Sequence, residues 1–470
     1  MTHALMTDQL QAVLDHLDLN RDERIQRLDS LLRLPSISTD PAHNADVRAA
    51  AECCAEMLNA SGIATEIRNT TGHPMVVGHA DGPEGAPHVL YYGHYDVQPP
   101  DPLELWDSGP FEPVIIEGEN GPKIVARGAA DDKGQLMMFV EALRAWHDIH
   151  GSFPIRITVL LEGEEESGSP SLDPFLKANA DELRPDVCIV SDTGMWDPKT
   201  PAITTMLRGL VYLDVTLHGP SHDLHSGMYG GAVVNPLNEL AQILGSLHDA
   251  DGRVTIPGFY DDVLETDSEQ LAQWDSLDFD EAAFLGSAGL KKSTGEVGRT
   301  VLERIWSRPT LDINGITGGY GGEGAKTVIA AEASAKFSCR LVANQCPETI
   351  ERNLKDWLEA RTPEGCHWTI HGHGCNPAIH VPSESPWLAA AQQGLEKIWN
   401  QPGMLIGCGG SIPVVGSFQT ILGADSLLIG FGLDDDRVHS PNEKFDLSCY
   451  HGGTRSHAAV MAAIAGVSGG

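Results

Sequence analysis

Positive charge is scarce in this chain. Its 470 residues include 31 lysines and arginines against 66 aspartates and glutamates, for a formal net charge of −35. Gripping a phosphodiester backbone requires a basic face, so this balance speaks against nucleic acid as the main partner. It speaks against an anionic membrane surface for the same reason. Long apolar runs are missing too. The longest near the C-terminus, AAVMAAIAGV, is far shorter than the roughly 20 residues that cross a bilayer. The first residues, MTHALMTDQLQ, lack the basic-then-apolar pattern of a signal peptide. There is no CxxC among the nine cysteines, and several lie in apolar runs, where a free thiol packs as a small hydrophobe. This usage predicts a reducing, cytoplasmic setting rather than a disulfide framework. No internal repeat and no low-complexity tract is found. What remains is 41% apolar and 21% charged, enough to bury a sizeable core. The length suits two or three domains.

The first third alternates helical and strand patterns. Leu10, Val13, Leu14 and Leu17 recur at i, i+3, i+4 and i+7, and Ile25, Leu28, Leu31 and Leu32 repeat this before Pro35. A further helix is predicted over 46–60. Short β-type runs stand at HVLYY (88–92), PIRITVLL (154–161), VCIVS (187–191) and SLLIGFG (426–432). Such runs separated by helices predict an α/β fold, a mostly parallel sheet with helices on both faces. From about 207 the pattern becomes strict alternation, with Val211, Leu213, Val215 and Leu217 on one face and Ala333, Ala335, Phe337, Cys339 and Leu341 on another. Helices at 236–248 and 348–361 accompany these strands, and 250–315 reads as acidic and irregular. The predicted organisation is a discontinuous α/β domain, 1–206 with 381–470, interrupted by an α+β domain at 207–380.

Polar residues follow the strong strands of the α/β part. HVLYY runs into Gly93-His94-Tyr95-Asp96, PIRITVLL into Glu162 to Glu166, VCIVS into Asp192, and SLLIGFG towards His439. Arg127-Gly128-Ala129-Ala130-Asp131-Asp132-Lys133-Gly134 opens a predicted helix. Singly, each has an ordinary explanation. His94 reads as a satisfied polar residue, Glu164–Glu166 as a solvated charge cluster, Asp131 and Asp192 as helix N-caps, and Asp434–Asp436 as a surface turn. HGHGC at 371–375 reads as a loop. Their common placement argues for one crevice, because ligands of open sheets bind beyond the carboxyl ends of strands. Imidazoles with carboxylates form a ligand set for Zn²⁺ or a similar ion. Five ligands with one bridging carboxylate suit two ions about 3.5–4 Å apart. Of the adjacent Glu165 and Glu166, one can hold metal while the other moves a proton.

The motifs GHYDVQP, RGAADDKG, EGEEESGS, VSDTG and VHSPNEKF stand in this order. The chain thereby resembles the co-catalytic di-zinc peptidases that include carnosinase, cytosolic nonspecific dipeptidase, aminoacylase and succinyl-diaminopimelate desuccinylase, and most closely the carnosinase/nonspecific dipeptidase branch. The resemblance runs from LLRLPSIS at 31–38 to the last helix. It implies two zinc ions per subunit, with manganese as an alternative. His94 and Asp192 would hold one ion, Glu166 and His439 the other, and Asp131 would bridge them. Asp96 would orient His94, and Glu165 would act as general base towards a metal-bridging hydroxide. The same resemblance makes 207–380 a lid and dimerisation domain. In it, His225 of DLHSG would act across a homodimer interface, and Thr327, Arg340 and, in the GGSIP segment, Ser411 would bind substrate. A guanidinium fork suits a free carboxylate. Two departures bear on the substrate pocket: Cys408 stands where related dipeptidases carry an acidic residue, and Ala330 where they carry proline.

The implied activity is metal-dependent hydrolysis of dipeptides or short peptides with a free C-terminal carboxylate. An N-acyl-amino-acid amidohydrolase or deacetylase could use the same centre. A catalytically silent metal-bound binding protein is a third reading, which the retained Glu165 opposes.

Overall fold

The computed structural model describes residues 3–410 and 412–467, with side chains from residue 6 onward. Ser411, one of the expected substrate contacts, lies outside the described residues. The chain divides into two compact units, one of residues 1–205, 381–405 and 417–470, the other of 206–380 and 406–416.

The first unit is built on a mixed sheet. His88–His94 lies between Arg156–Glu162 and Val187–Val190, parallel to both, and Ser426–Leu428 runs parallel to Val187–Val190 on its far side. Antiparallel strands Met75–Ala80 and Ala64–Arg68 extend one edge, and Ala202–Leu207 pairs antiparallel beyond Ser426–Leu428. Every residue of His88–His94 is buried, as expected of a strand covered on both faces. Successive side chains point to opposite faces. Tyr91 accordingly stacks on Phe139 of helix Lys133–His150, while Tyr92 meets Phe418 edge-on. Helix Leu172–Leu183 packs beside Phe418–Leu422 on that second face. The expected α/β architecture, a mostly parallel sheet between helices, is what the chain forms.

The connections of this sheet make a crevice. From His88–His94 the chain passes through Lys133–His150 to Arg156–Glu162 on one side. It then passes through Leu172–Leu183, on the other face, to Val187–Val190 on the other side. Adjacent strands His88–His94 and Val187–Val190 thus form a switch point, with the crevice beyond their carboxyl ends. Helices Lys133–His150 and Leu447–Ile464 pack on each other and are buried over most of their length, so they form the centre of the core. His3–Leu19, Arg21–Leu32 and Asn44–Ala60 pack outside them, with Leu10, Val13, Leu14, Leu17 and Leu28 all buried.

The second unit carries an antiparallel sheet in the order Thr310–Gly318, Glu332–Leu341, Gly209–His218, His367–Asn376. Its two central strands alternate buried and half-exposed residues, and the buried set includes Val211, Leu213, Val215, Ala335, Phe337 and Cys339. Helices Pro236–Gly245 and Pro347–Glu359 close over that face. Two sequence expectations are corrected here. HGHGC is part of strand His367–Asn376, with a register shift between Gly372 and Cys375. Trp368 and Ile370 on the same strand supply the alternating apolar contacts that the glycines obscured. Segment 250–315 holds three short helices, Ser268–Asp275, Glu281–Ser287 and Val301–Trp306. Part of its acidity is capping: Asp267 and Asp280 accept from backbone N–H groups, and Thr300 with Glu303 forms a capping box.

Candidate metal centre

His94 ends its strand, and Asp192 follows the end of Val187–Val190, so the sheet delivers both to the crevice. Asp131 lies just before helix Lys133–His150, and Glu166 in the turn Glu165–Ser167 after Arg156–Glu162. His439 stands on the loop that follows the Ser426–Leu428 segment, with φ at 61°. These five residues fall into two groups of three, His94–Asp131–Asp192 and Asp131–Glu166–His439, whose donor atoms lie within 4.8 Å of one another. Asp131 belongs to both. Its Oδ1 is 3.1 Å from His94 Nε2 and its Oδ2 is 2.9 Å from His439 Nε2. Asp192 Oδ2 lies 4.0 Å from His94 Nε2, and Glu166 Oε2 3.3 Å from His439 Nε2.

Neighbours hold these groups in place. His94 Nδ1 is 3.2 Å from the Asp96 carbonyl oxygen and 3.4 Å from Asp96 Oδ1, which turns Nε2 towards Asp131. Asp96 Oδ2 accepts from the Glu166 N–H at 3.1 Å, so one buried carboxylate touches a residue of each group. Gln98 donates to Glu166 Oε2 at 2.7 Å. The Glu165 carboxylate, by contrast, makes no hydrogen bond among the described residues, and burial raises its pKa.

The donor set fits divalent cations. Burial opposes a charge on His94, yet the Asp131 and Asp96 carboxylates hold it well above the usual imidazole range. Hydrogen bonds to Asp131 and Glu166 raise His439 to about 10. Burial, and then the Asp131 charge, push the Asp192 carboxyl well above its usual value. A cluster that drags protons onto its imidazoles and onto one carboxyl has an excess of negative charge. Nitrogen and oxygen donors around such an excess suit zinc or manganese.

The sequence model of Peptidase family M20/M25/M40 matches residues 90–463. The chain belongs to this family. It is therefore a metallopeptidase, a hydrolase of peptide bonds, and its similarities place it in the carnosinase and dipeptidase branch. This M20 peptidase is 30% identical over 479 residues to the Cys-Gly metallodipeptidase dug1 of Schizosaccharomyces pombe, covering 98% of this chain and 99% of that one. It is 28% identical to the human Beta-Ala-His dipeptidase, covering 97% and 93%. Among solved structures, the M20 family metallo-carboxypeptidase Sso-CP2 from Sulfolobus solfataricus superposes with a TM-score of 0.79 at 30% identity, over 94% of this chain and 99% of that one.

The second unit of the M20 peptidase groups other residues singled out from sequence. Leu224–His225 pairs with Val328–Ile329, and the Ser226 N–H donates to the Thr327 carbonyl, so His225 and Thr327 are neighbours and both are exposed. Arg340 stands on strand Glu332–Leu341, half-exposed. Beside it is Arg208, whose pKa burial lowers to about 10 with a further contribution from Arg340, and whose Nε donates to the Gly409 carbonyl at 3.0 Å.

Sequence reasoning passed over several residues. Asp436 is no surface turn. It is buried, 2.7 Å from Lys444 Nζ, and accepts from the Leu433 N–H. Glu164 is buried as well and accepts from the N–H groups of His73 and Ser171. Glu443 receives the backbone of the Asp131 segment. It belongs to the VHSPNEKF motif, but nothing in the sequence pairs that motif with RGAADDKG.

Proposed function

We propose that this metallopeptidase hydrolyses dipeptides or similar short peptides with a free C-terminal carboxylate, using two divalent cations held by His94, Asp131, Glu166, Asp192 and His439. The observation that carries this reading is the division of Asp131: one oxygen faces each histidine. A carboxylate so shared suits a pair of ions, and the dipeptidase names of full-length relatives favour short substrates. We assign zinc, with manganese as the alternative. Bound there, the cations would supply Lewis acidity, acidifying a water and polarising the scissile carbonyl.

The remaining roles fall to the chain itself. Asp96 fixes the tautomer of His94. Glu165, uncoordinated and with its pKa raised, takes a proton from the attacking water and returns it to the leaving amine. Residues 1–206 and 381–470 form the catalytic part, and 207–380 the lid and dimerisation part. Arg340, aided by Thr327 and Ser411, binds the substrate's terminal carboxylate. The chain acts as a homodimer in which His225 of a partner copy stabilises the oxyanion. Its Nδ1 already accepts from the Gly227 N–H, which leaves Nε2 as the donor. All nine cysteines are free, in keeping with the cytoplasm, and among the described residues no helix is long and apolar enough to cross a membrane.

The test is hydrolysis of Cys-Gly, β-Ala-His and N-acetyl amino acids before and after chelation, with the wild type and Glu165→Gln. Dipeptide turnover should vanish on chelation and return with Zn²⁺ or Mn²⁺. Glu165→Gln should lose about 10²–10⁴-fold in kcat while keeping its metal. Turnover confined to the N-acetyl compounds, or unchanged kcat in the variant, would sink the reading.

A further inference from the structure

Glu443 has its carboxylate wholly buried, and all four of its acceptor directions are used by one short segment of chain. Oε2 accepts from Arg127 Nη1 at 2.7 Å and from the Gly128 N–H at 3.0 Å. Oε1 accepts from the N–H groups of Ala130 at 2.9 Å and Asp131 at 3.1 Å. Gly128 has φ at 83°, the left-handed turn that aims these amides at one point. The Glu443 main chain adds a bond, its carbonyl accepting from the Ala126 N–H at 3.1 Å. Glu443 also stands four positions after His439 on the same loop. Asp131 and Glu443 are 312 positions apart in sequence. The antiparallel pairing of Lys444–Asp446 with Gly121–Val125 brings their segments together, and the Glu443 carboxylate then fixes the turn from Gly128 to Asp131 against the His439 loop.

We propose that Glu443 is a positioning residue for both cation sites, clamping the Asp131 backbone so that the Asp131 oxygens face His94 and His439 together. This rests on the two-cation reading above. Its signature differs from that of a ligand. Loss of His439 removes one donor from one group. Loss of the clamp misplaces the one donor common to both, so both sites weaken together. It differs also from that of a stabilising ion pair, because three of the four donors are backbone amides that remain when Arg127 is changed.

The experiment is titration of chelator-treated full-length protein with Zn²⁺, read by calorimetry and by metal content after gel filtration. Wild type should take up two ions per chain, and His439→Ala one tight ion. Glu443→Gln should still offer two sites, each weakened about 10–100-fold, as is usual when a group orienting a ligand is lost. Glu443→Asp, which keeps the charge but shortens the reach, should fall between and serves if the glutamine variant fails to fold. Arg127→Lys should keep both affinities within about threefold while lowering thermal stability. Wild-type affinities in Glu443→Gln or Glu443→Asp would overturn the proposal. Equal weakening in Arg127→Lys would too, because the effect would then come from the ion pair and not from the amide clamp. A wild type that takes up no metal would instead remove the two-cation reading itself.

Discussion

Lys444 stands at the foot of the loop that carries His439. Its ammonium lies 2.8 Å from Asp435, 2.7 Å from Asp436 and 3.1 Å from Asp446, and its side chain is only 4% exposed. Burial raises the Asp436 carboxyl to about 6 even with this cation beside it. Replacing Lys444 by methionine would fit the space and strand two buried carboxylates, Asp436 and Asp446, without their cation. A loss of about 3–5 kcal/mol is expected, read as a lower urea midpoint at pH 7.5. The loss should shrink in the double variant Lys444→Met with Asp436→Asn, and an unchanged midpoint in the single variant would refute the argument. At this scale the proposed ligands His94, Asp131, Glu166 and Asp192 were legible because each ends or closely follows a strong apolar strand or precedes a helix, while His439, on a loop, was assigned through the resemblance carried by VHSPNEKF. Lys444, Asp436 and Glu443 were not. In sequence they form a run of ordinary surface charge, and only the long-range partners reveal that they are buried.

The start of helix Lys133–His150 is fitted tightly against the turn that precedes it. A methyl group at Gly134 would lie 1.9 Å from the Ala129 carbonyl oxygen, a backbone atom that cannot swing away. Alanine is preferred over glycine inside helices by about 1 kcal/mol, so propensity alone would have Gly134→Ala stabilise the protein. The contact reverses that sign. The variant should melt lower than wild type and bind zinc more weakly, because Ala129 lies two residues from Asp131. Differential scanning calorimetry with and without zinc checks both. The strands of the parallel sheet were readable as runs of apolar residues, since burial on both faces removes alternation. Strand His367–Asn376 was not, because its alternation is carried by Trp368 and Ile370 alone before glycines and histidines interrupt it at 371–374. The short helices after residue 267 escaped notice since each is too brief to show a period.

Three buried histidines outside the candidate ligand set carry an acid-sensitive share of the stability. Burial, with Arg156 nearby, lowers His88 to about 4. Burial with Arg24 does the same for His451, and burial alone takes His457 to about 3. In the unfolded chain all three titrate near 6.5. Above that pH both states are neutral and the groups contribute nothing to the slope. Below it the unfolded chain binds protons that these native histidines refuse, so the stability they confer falls as pH drops from about 6.5 to about 4. Each histidine contributes about 1.4 kcal/mol per pH unit within that window. Chemical denaturation of the chelated protein between pH 7 and pH 5 isolates this share by difference. Buried carboxyls with raised pKa, Glu162, Asp192 and Asp436 among them, pull the total slope the other way, and His88→Gln should shift it from wild type by about one histidine's share. A variant slope equal to that of wild type would contradict the assignment. Composition could not disclose this, since 20 histidines read from sequence give no hint of which are buried.

Strand Ser426–Leu428 pairs with Val187–Val190 on one side and with Ala202–Leu207 on the other. A ribosome emits roughly 5–20 residues per second from the amino end. The sheet therefore keeps a gap until nearly all of the 470 residues have been made, and His439 emerges later still. The four-stranded sheet of the other unit is fully translated once Asn376 has left the tunnel. During synthesis the four-stranded sheet of the insert can close while the host sheet is open, with unpaired edges of Val187–Val190 and Ala202–Leu207 exposed to chaperones and to other nascent chains.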